Sequence, residues 1–364
     1  MTTSLTASRL PPPVPQPFHG AISHPDLYLW DAWSYAEAGT LHLYCLAVER
    51  NRYDGTPLPP NERNNAPFHI RHFASPDHGE SWSDEGCLLA TRSGQGLADS
   101  RTVWSGSMTP LPDGQKLLAY TGLYERDVDH CFAQALMLAL TDGYAVTDRP
   151  EAPLLCPLRD RELIVAAGYY LAALDDIGNR EGEGGGPVMA WRDPFAFIDD
   201  QNRIHLFWSA KTAPCEGALG HALLRREGND FRLDSLLPPT LLPDGERFTQ
   251  FELPKVYHDA PNGQFYLLAS TCNRTDERQR DEEVDKRLRL YRSDSLDGPW
   301  LPWSPQGSVL PGLDCLFGMT VLKADFDRRS LLCMAPYTDA AGPDLGLTFS
   351  PSFRIYLDSV KVVV

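Results

Sequence analysis

The sequence has no apolar run long enough to cross a bilayer. The longest, Leu163 to Leu174, falls short of the roughly 20 residues a spanning helix needs. No basic segment followed by an apolar stretch stands at the N-terminus, so no secretory signal is expected. The expectation is a cytoplasmic protein, or one exported without a recognisable signal. Positive charge is scarce: 33 Lys and Arg against 49 Asp and Glu give a formal net charge of −16. Such a chain lacks the clustered cations that nucleic acid or an anionic membrane requires, so neither is an expected partner. Acidic substrates are disfavoured by the same field, to which a neutral sugar is indifferent.

The 8 cysteines include no C-x-x-C pair and several sit inside strand patterns, which favours reduced thiols acting as small hydrophobes. The glycine-rich stretch NREGEGGGP lacks the Lys-Ser/Thr of a phosphate loop, so no nucleotide is expected. His69 and His72 alternate along one strand with no third ligand nearby, so no metal site is expected, and no cofactor is implied.

What is present is an ordinary globular composition, 42% hydrophobic and 23% charged over 364 residues, enough for a large core. The residues from Met189 to Lys211, MAWRDPFAFIDDQNRIHLFWSAK, read as two apolar strands joined by a polar turn. Related hairpins begin near Asp31, Ser105, Glu252 and Phe317. Pairing Pro194 with Pro254 sets Asp199 on Asp259 and Asn202 on Asn262. Five copies at a spacing of roughly 70 residues predict an all-β, five-bladed β-propeller. A β-sandwich with chance likeness between its hairpins is the simpler alternative. Residues 1–17, ending in RLPPPVPQP, read as a Pro-rich N-terminal tail, and 18–364 as one propeller domain.

Ser75-x-Asp77-x-Gly79-x-x-Trp82 and SDSLDGPW (Ser293 to Trp300) have the Asp-box pattern, in which Asp and Ser hold a turn and Trp packs between blades. The connection 156–188 reads as a short helix or a lid. The mixed-charge run 275–289 reads as a solvated face, with the edge of a binding site as the alternative.

Asp31, Asp193 and Glu252 each stand at the start of a blade repeat, so inner strands of one propeller would converge them on the axial funnel. Carboxyl groups that close cannot all ionise together. Such a set suits glycoside cleavage, which needs an ionised carboxylate as nucleophile and a protonated one to assist the leaving group.

WDAW, VWSGS, WRDPF, the acid in FELPKVY, SDSLDGPW and FSPSF follow one another along nearly the whole chain after residue 25. In this set and order the sequence resembles glycoside hydrolase family 68, the levansucrases, inulosucrases and bacterial β-fructofuranosidases. The resemblance implies a five-bladed propeller acting on a β-fructofuranoside, with a small-molecule sugar as partner and no cofactor. It implies Asp31 as nucleophile, Glu252 as general acid/base and Asp193 as transition-state stabiliser. It places Trp30, Trp104, Ser105 and Arg192 around the fructosyl unit. The positive charge of Arg192 beside Asp193 is expected to hold that acid ionised. Trp33 is expected to join Trp30 and Trp104 as an aromatic wall. Gln250 stands where the family has an acidic residue. Cys272 falls where it has an arginine, with Arg274 two residues later. Gln250 and Arg274 are therefore the expected leaving-group contacts. Leu253 follows the acid where the family has arginine, and the ELP spelling is similar to that of the related invertase family 32. Thr249 replaces the acid of the family's calcium site. Two rival readings keep the propeller: a different furanoside glycone or an inverting reaction, and a carbohydrate-binding propeller without catalysis.

Overall fold

The computed structural model of the protein describes residues 20–94, 96–179, 189–275, 279–280, 283–338, 341–342, 344–359 and 361–363. The Pro-rich segment 1–17 and the glycine run 182–186 lie outside the described residues.

Short, largely apolar strands broken by Gly, Asp and Asn turns form five antiparallel sheets of four strands, each sheet joining consecutive strands. The first blade holds β1 (Leu27–Glu37), β2 (Thr40–Glu49), β3 (His69–Ser75) and β4 (Ser83–Ala90). The second holds β5 (Thr102–Pro110), β6 (Lys116–Tyr124), β7 (Ala133–Thr141) and β8 (Val146–Asp148). Helix α1 (Arg161–Ala166) follows, and then the third blade: β9 (Arg192–Ile198), β10 (Ile204–Ala213), β11 (Glu216–Glu227) and β12 (Asp230–Leu236). The fourth holds β13 (Gln250–Asp259), β14 (Gln264–Cys272), β15 (Lys286–Ser293) and β16 (Leu301–Pro302). The fifth holds β17 (Thr320–Asp325), β18 (Ser330–Met334), β19 (Phe353–Tyr356) and β20 (Lys361–Val363). The blades surround a common axis, a five-bladed β-propeller. The β-sandwich alternative is thereby excluded.

Alternation along the strands gives each blade two apolar faces, and each face packs on the neighbouring blade. Tyr44, Ile70, Leu118 and Tyr120 fill the space between the first and second blades. Leu117, Leu136, Trp191 and Trp208 fill the next, and Phe207, Phe251 and Leu267 the third. Leu290, Leu331 and Ile355 follow, and Leu29, Leu43 and Met334 complete the circle. The ring closes where Ser34 Oγ meets Thr320 Oγ1 at 2.8 Å and the Phe349 amide donates to Ile22 O at 2.8 Å.

Both Asp-boxes act as turn locks. Gly79 adopts φ +91 and its amide donates to Ser75 Oγ at 2.8 Å, while the Ser81 amide donates to Asp77 Oδ1 at 2.9 Å. Trp82 packs between the fifth and first blades, and Trp300 between the third and fourth. The connection after residue 156 yields the short helix. Ile164 of α1 is buried between the second and third blades, which ties that segment to the core rather than to a site.

Candidate active site

The inner strands of the first four blades are interrupted near their starts. The β1–β2 register slips between Trp30 and Ala32, β5–β6 between Trp104 and Gly106, and β13–β14 between Glu252 and Lys255. In β9 the slip falls after Arg192, which pairs with Ser209 of β10. These are β-bulges, which insert an unpaired residue and re-aim its side chain. Asp31 (φ 45), Asp193 (φ 59) and Leu253 (φ 52) adopt the left-handed conformation at these points, as does Gly318 (φ 63) just ahead of β17. That conformation is uncommon for a residue with a Cβ and tends to mark functional positions.

Hydroxyls on the second strands clamp the bulges of the next blade. The Asp193 amide donates to Thr121 Oγ1 at 2.9 Å, and the Gly318 amide to Ser270 Oγ at 3.0 Å. Ser209 Oγ donates to the Phe251 carbonyl. The entries of the third, fourth and fifth blades are thus each held by the blade before them in the chain.

The bulges keep the pairing of Pro194 with Pro254 and correct the expectation that the three acids stand at one equivalent blade entry. Asp31 and Asp193 occupy the left-handed position itself, whereas Glu252 sits one residue before it. Glu252 pairs with Ser270 as Arg192 pairs with Ser209, so Glu252 corresponds to Arg192 and Leu253 to Asp193. The three acids share the floor without sharing a repeat position.

A funnel of about 970 Å³ opens over the bulges. Trp30, Asp31, Trp104, Ser105, Arg192, Asp193, Gln250, Glu252 and Arg274 line it. Trp33 does not. It is 1% exposed and packs with Tyr35, Tyr44 and Tyr120 between the first and second blades. The extra residue at Asp31 shifts the alternation, so Trp33 points into the interface and Trp30 is left at the funnel.

Ser105 Oγ donates to Asp31 Oδ2 at 2.6 Å, joining the first two blades across the floor. Asp193 is buried, and its Oδ2 accepts the Leu253 amide at 3.1 Å. Arg192 donates to Met189 O at 3.1 Å and to Gln250 Oε1, and stands 3.9 Å from Glu252 Oε1. Gln250 thereby orients the guanidinium between two acids. The Cys272 thiol donates to Glu252 Oε1 at 3.4 Å. Trp30 meets Phe68 edge-on at 4.7 Å, with the Arg63 guanidinium 5.6 Å above its ring. The buried Trp104 indole N–H has no partner among the described residues.

Loss of hydration pushes the Asp31 carboxyl up to about 6, with Glu252 adding to the rise and Ser105, Lys255 and Arg63 opposing it. Burial pushes Asp193 up to about 7, helped by Glu252 and Asp31 and opposed by Arg192. The expectation that Arg192 keeps Asp193 fully ionised is therefore corrected: here desolvation outweighs the guanidinium. Two such carboxyls can hold one proton between them near neutrality, which equips the floor for both attack and hydrogen-bond donation.

The sequence reading passed over several contributors. Arg63 and Asn64 reach the rim from the connection between β2 and β3, where no motif marks them. Gln279, Arg280 and Lys286 show that the mixed-charge run does edge the mouth. Gly318 and Lys255, which underlie the floor, also carried no weight; a lysine inside the apolar strand FELPKVY was the available signal.

No protein-family model matches the chain, and no curated protein matches it either. Solved structures do. An alanine mutant of Bacillus subtilis levansucrase superposes with a TM-score of 0.63 at 18% identity, covering 93% of this chain and 86% of that one. A B. megaterium levansucrase mutant gives 0.62 at 15% identity, covering 95% and 88%. A levansucrase complexed with sucrose gives 0.61 at 18% identity, covering 93% and 86%. At these identities the likeness establishes a levansucrase-like propeller fold.

Proposed function

We propose that the protein is a retaining glycoside hydrolase or fructosyltransferase that acts on a β-fructofuranoside through a covalent fructosyl-enzyme intermediate. The observation that carries this reading is the meeting of Asp31, Asp193 and Glu252 on the floor of one funnel, with Ser105 bonded to Asp31. The neighbouring fold, one example of which holds sucrose, supports the same substrate class.

The chemistry follows from the floor. Ionised Asp31 attacks the anomeric carbon while the bond to the leaving oxygen breaks, and Glu252 gives that oxygen its proton. In the second step Glu252 takes a proton from water or from a sugar hydroxyl, whose oxygen displaces Asp31. Asp193 and Arg192 hold the ring hydroxyls, and the negative charge of the floor carboxylates offsets the positive charge that develops at the anomeric carbon and ring oxygen. Ser105 fixes the Asp31 carboxyl plane, so attack needs no reorganisation of the nucleophile. Trp30 and Trp104 supply apolar walls that keep bulk water out.

Gln250, Cys272 and Arg274 lie on the leaving-group side and differ from the family's pattern, so the substrate panel should extend beyond sucrose. Incubation with sucrose, raffinose and short fructans, followed by product chromatography, tests the reading. Release or transfer of fructose with retained configuration is expected. Inversion, or cleavage of another furanoside alone, would favour the rival glycone. Sugar binding with no product over long incubation would favour a non-catalytic propeller.

A further inference from the structure

Lys255 sits in β13 three residues after Glu252, just past the bulge, and is 2% exposed. Among the described residues its ammonium makes one hydrogen bond, Nζ to the Leu253 carbonyl at 3.2 Å. The amide of that same Leu253 donates to Asp193 Oδ2. A buried ammonium with one of three donors satisfied is costly unless opposite charge lies nearby. The acids that act on it are Asp31 of β1 and Asp193 of β9. Nothing in the reaction proposed above uses this cation.

We propose that Lys255 is a positioning residue: a counter-ion beneath the funnel that keeps one of Asp31 and Asp193 ionised and fixes the Leu253 peptide that holds Asp193. The proposal deepens the reading given above and rests on it for the meaning of Asp31 as nucleophile. The charge balance supports it. Asp31 faces Glu252, Lys255 and Arg63 as well as the Ser105 hydroxyl. Asp193 faces Arg192, Glu252, Asp31 and the Leu253 amide. The cation acting on Asp193 is Arg192, which is also shared with Gln250 and Glu252, while Asp31 has Lys255 and the only partly buried Arg63. Lys255 is therefore the buried counter-charge to Asp31 and reaches Asp193 through the Leu253 peptide. Burial draws its own titration down to about 8, with both acids opposing the fall, so it stays largely protonated at neutral pH.

The test follows the aspartate carboxyls by carbon NMR against pH, in wild type, Lys255→Met and Lys255→Arg. In Lys255→Met the Asp31 carboxyl is expected to titrate about one pH unit higher, the scale of a nearby charge. Lys255→Arg keeps the charge and should stay close to wild type. An unmoved Asp31 titration in folded Lys255→Met overturns the proposal. A reciprocal measurement leaves Lys255 in place: its side-chain resonance should titrate at lower pH in Asp31→Asn than in wild type. Identical titrations there also overturn it. Neither measurement requires turnover. If no fructoside is cleaved yet the titrations move, the counter-ion stands and the proposed reaction falls. If fructose is released and the titrations stay put, the reverse holds. With turnover in hand, the acid limb of kcat/KM in Lys255→Met should rise by the same amount, which a purely structural lysine would not cause.

Discussion

Gly318 lies so close to Asp31 that a Cβ built on it would stand 2.7 Å from Asp31 Oδ1 and 2.9 Å from Asp31 Cα. Gly318 also takes φ +63, and its carbonyl accepts the Ala32 amide at 3.0 Å. The fifth blade therefore sets the position of the first blade's carboxylate by excluded volume. Gly318→Ala should lower turnover about 100-fold, the cost of a displacement of about 1 Å at a reacting group. A stability loss of about 1–3 kcal/mol from the left-handed backbone should accompany it. Activity near wild type in Gly318→Ala would show that Asp31 tolerates movement and is not the attacking group.

Asp193→Asn should abolish turnover and yet stabilise the fold above neutral pH. The folded carboxyl titrates at about 7 against a reference of 3.8, so the unfolded chain gives up its proton first as pH rises. Stability is therefore lost as pH climbs from about 4 to about 7, and it is regained when the charge is removed. At about 1.4 kcal/mol per tenfold in proton affinity, the effect is on the order of 4 kcal/mol at pH 8. Melting curves of both proteins should separate at pH 8 and converge near pH 4. A gap that is the same at both values would contradict the buried-carboxyl account.

Ser105→Ala removes the hydrogen bond that favours ionised Asp31. Since wild-type Asp31 titrates at about 6, activity should fall as pH drops through that value. In Ser105→Ala the acid limb should shift upward, by up to about one pH unit, and the maximal rate should fall about tenfold or more. Rate against pH for the two proteins decides it, and coincident limbs would remove Ser105 from this role.

The architecture was legible because turn residues recur at blade spacing, and that recurrence survives inner strands that begin unevenly, at residues 27, 102, 192, 250 and 320. Asp31 and Asp193 were legible as acids leading an apolar strand, and the structure sets both inside their strands. The bulges were not, because an inserted residue leaves no mark in a pattern of apolar and polar letters. For that reason Trp33 was assigned to the sugar and is found in the core. Glu252 was set at an entry equivalent to that of Asp193, although the pairing of Pro194 with Pro254 already matches it to Arg192. Lys255 and Gly318 escaped for a related cause. Each acts on a residue far away in the chain, and only the closed ring brings them together.

Thiol reagents should leave the site intact. Cys272 is buried beside Glu252, and burial holds its thiol well above the usual range, so little thiolate exists to react. Of the two exposed cysteines among the described residues, Cys87 has its thiol pushed up by burial, so Cys215 should be alkylated first under mild conditions. Mass mapping should find Cys215 modified with activity retained. Early modification of Cys272 with loss of activity would mean that the floor opens far more than this geometry suggests.

The most direct test uses Glu252→Gln and a fructoside whose leaving group needs no proton, such as a fluoride or nitrophenyl derivative. Departure then proceeds without the acid, while the return step lacks its base, so a covalent intermediate should accumulate. Mass spectrometry of the digested protein should find one added fructosyl unit on the peptide containing Asp31, and none in Asp31→Ala. Product formed with no adduct, or an adduct on another residue, would contradict attack by Asp31.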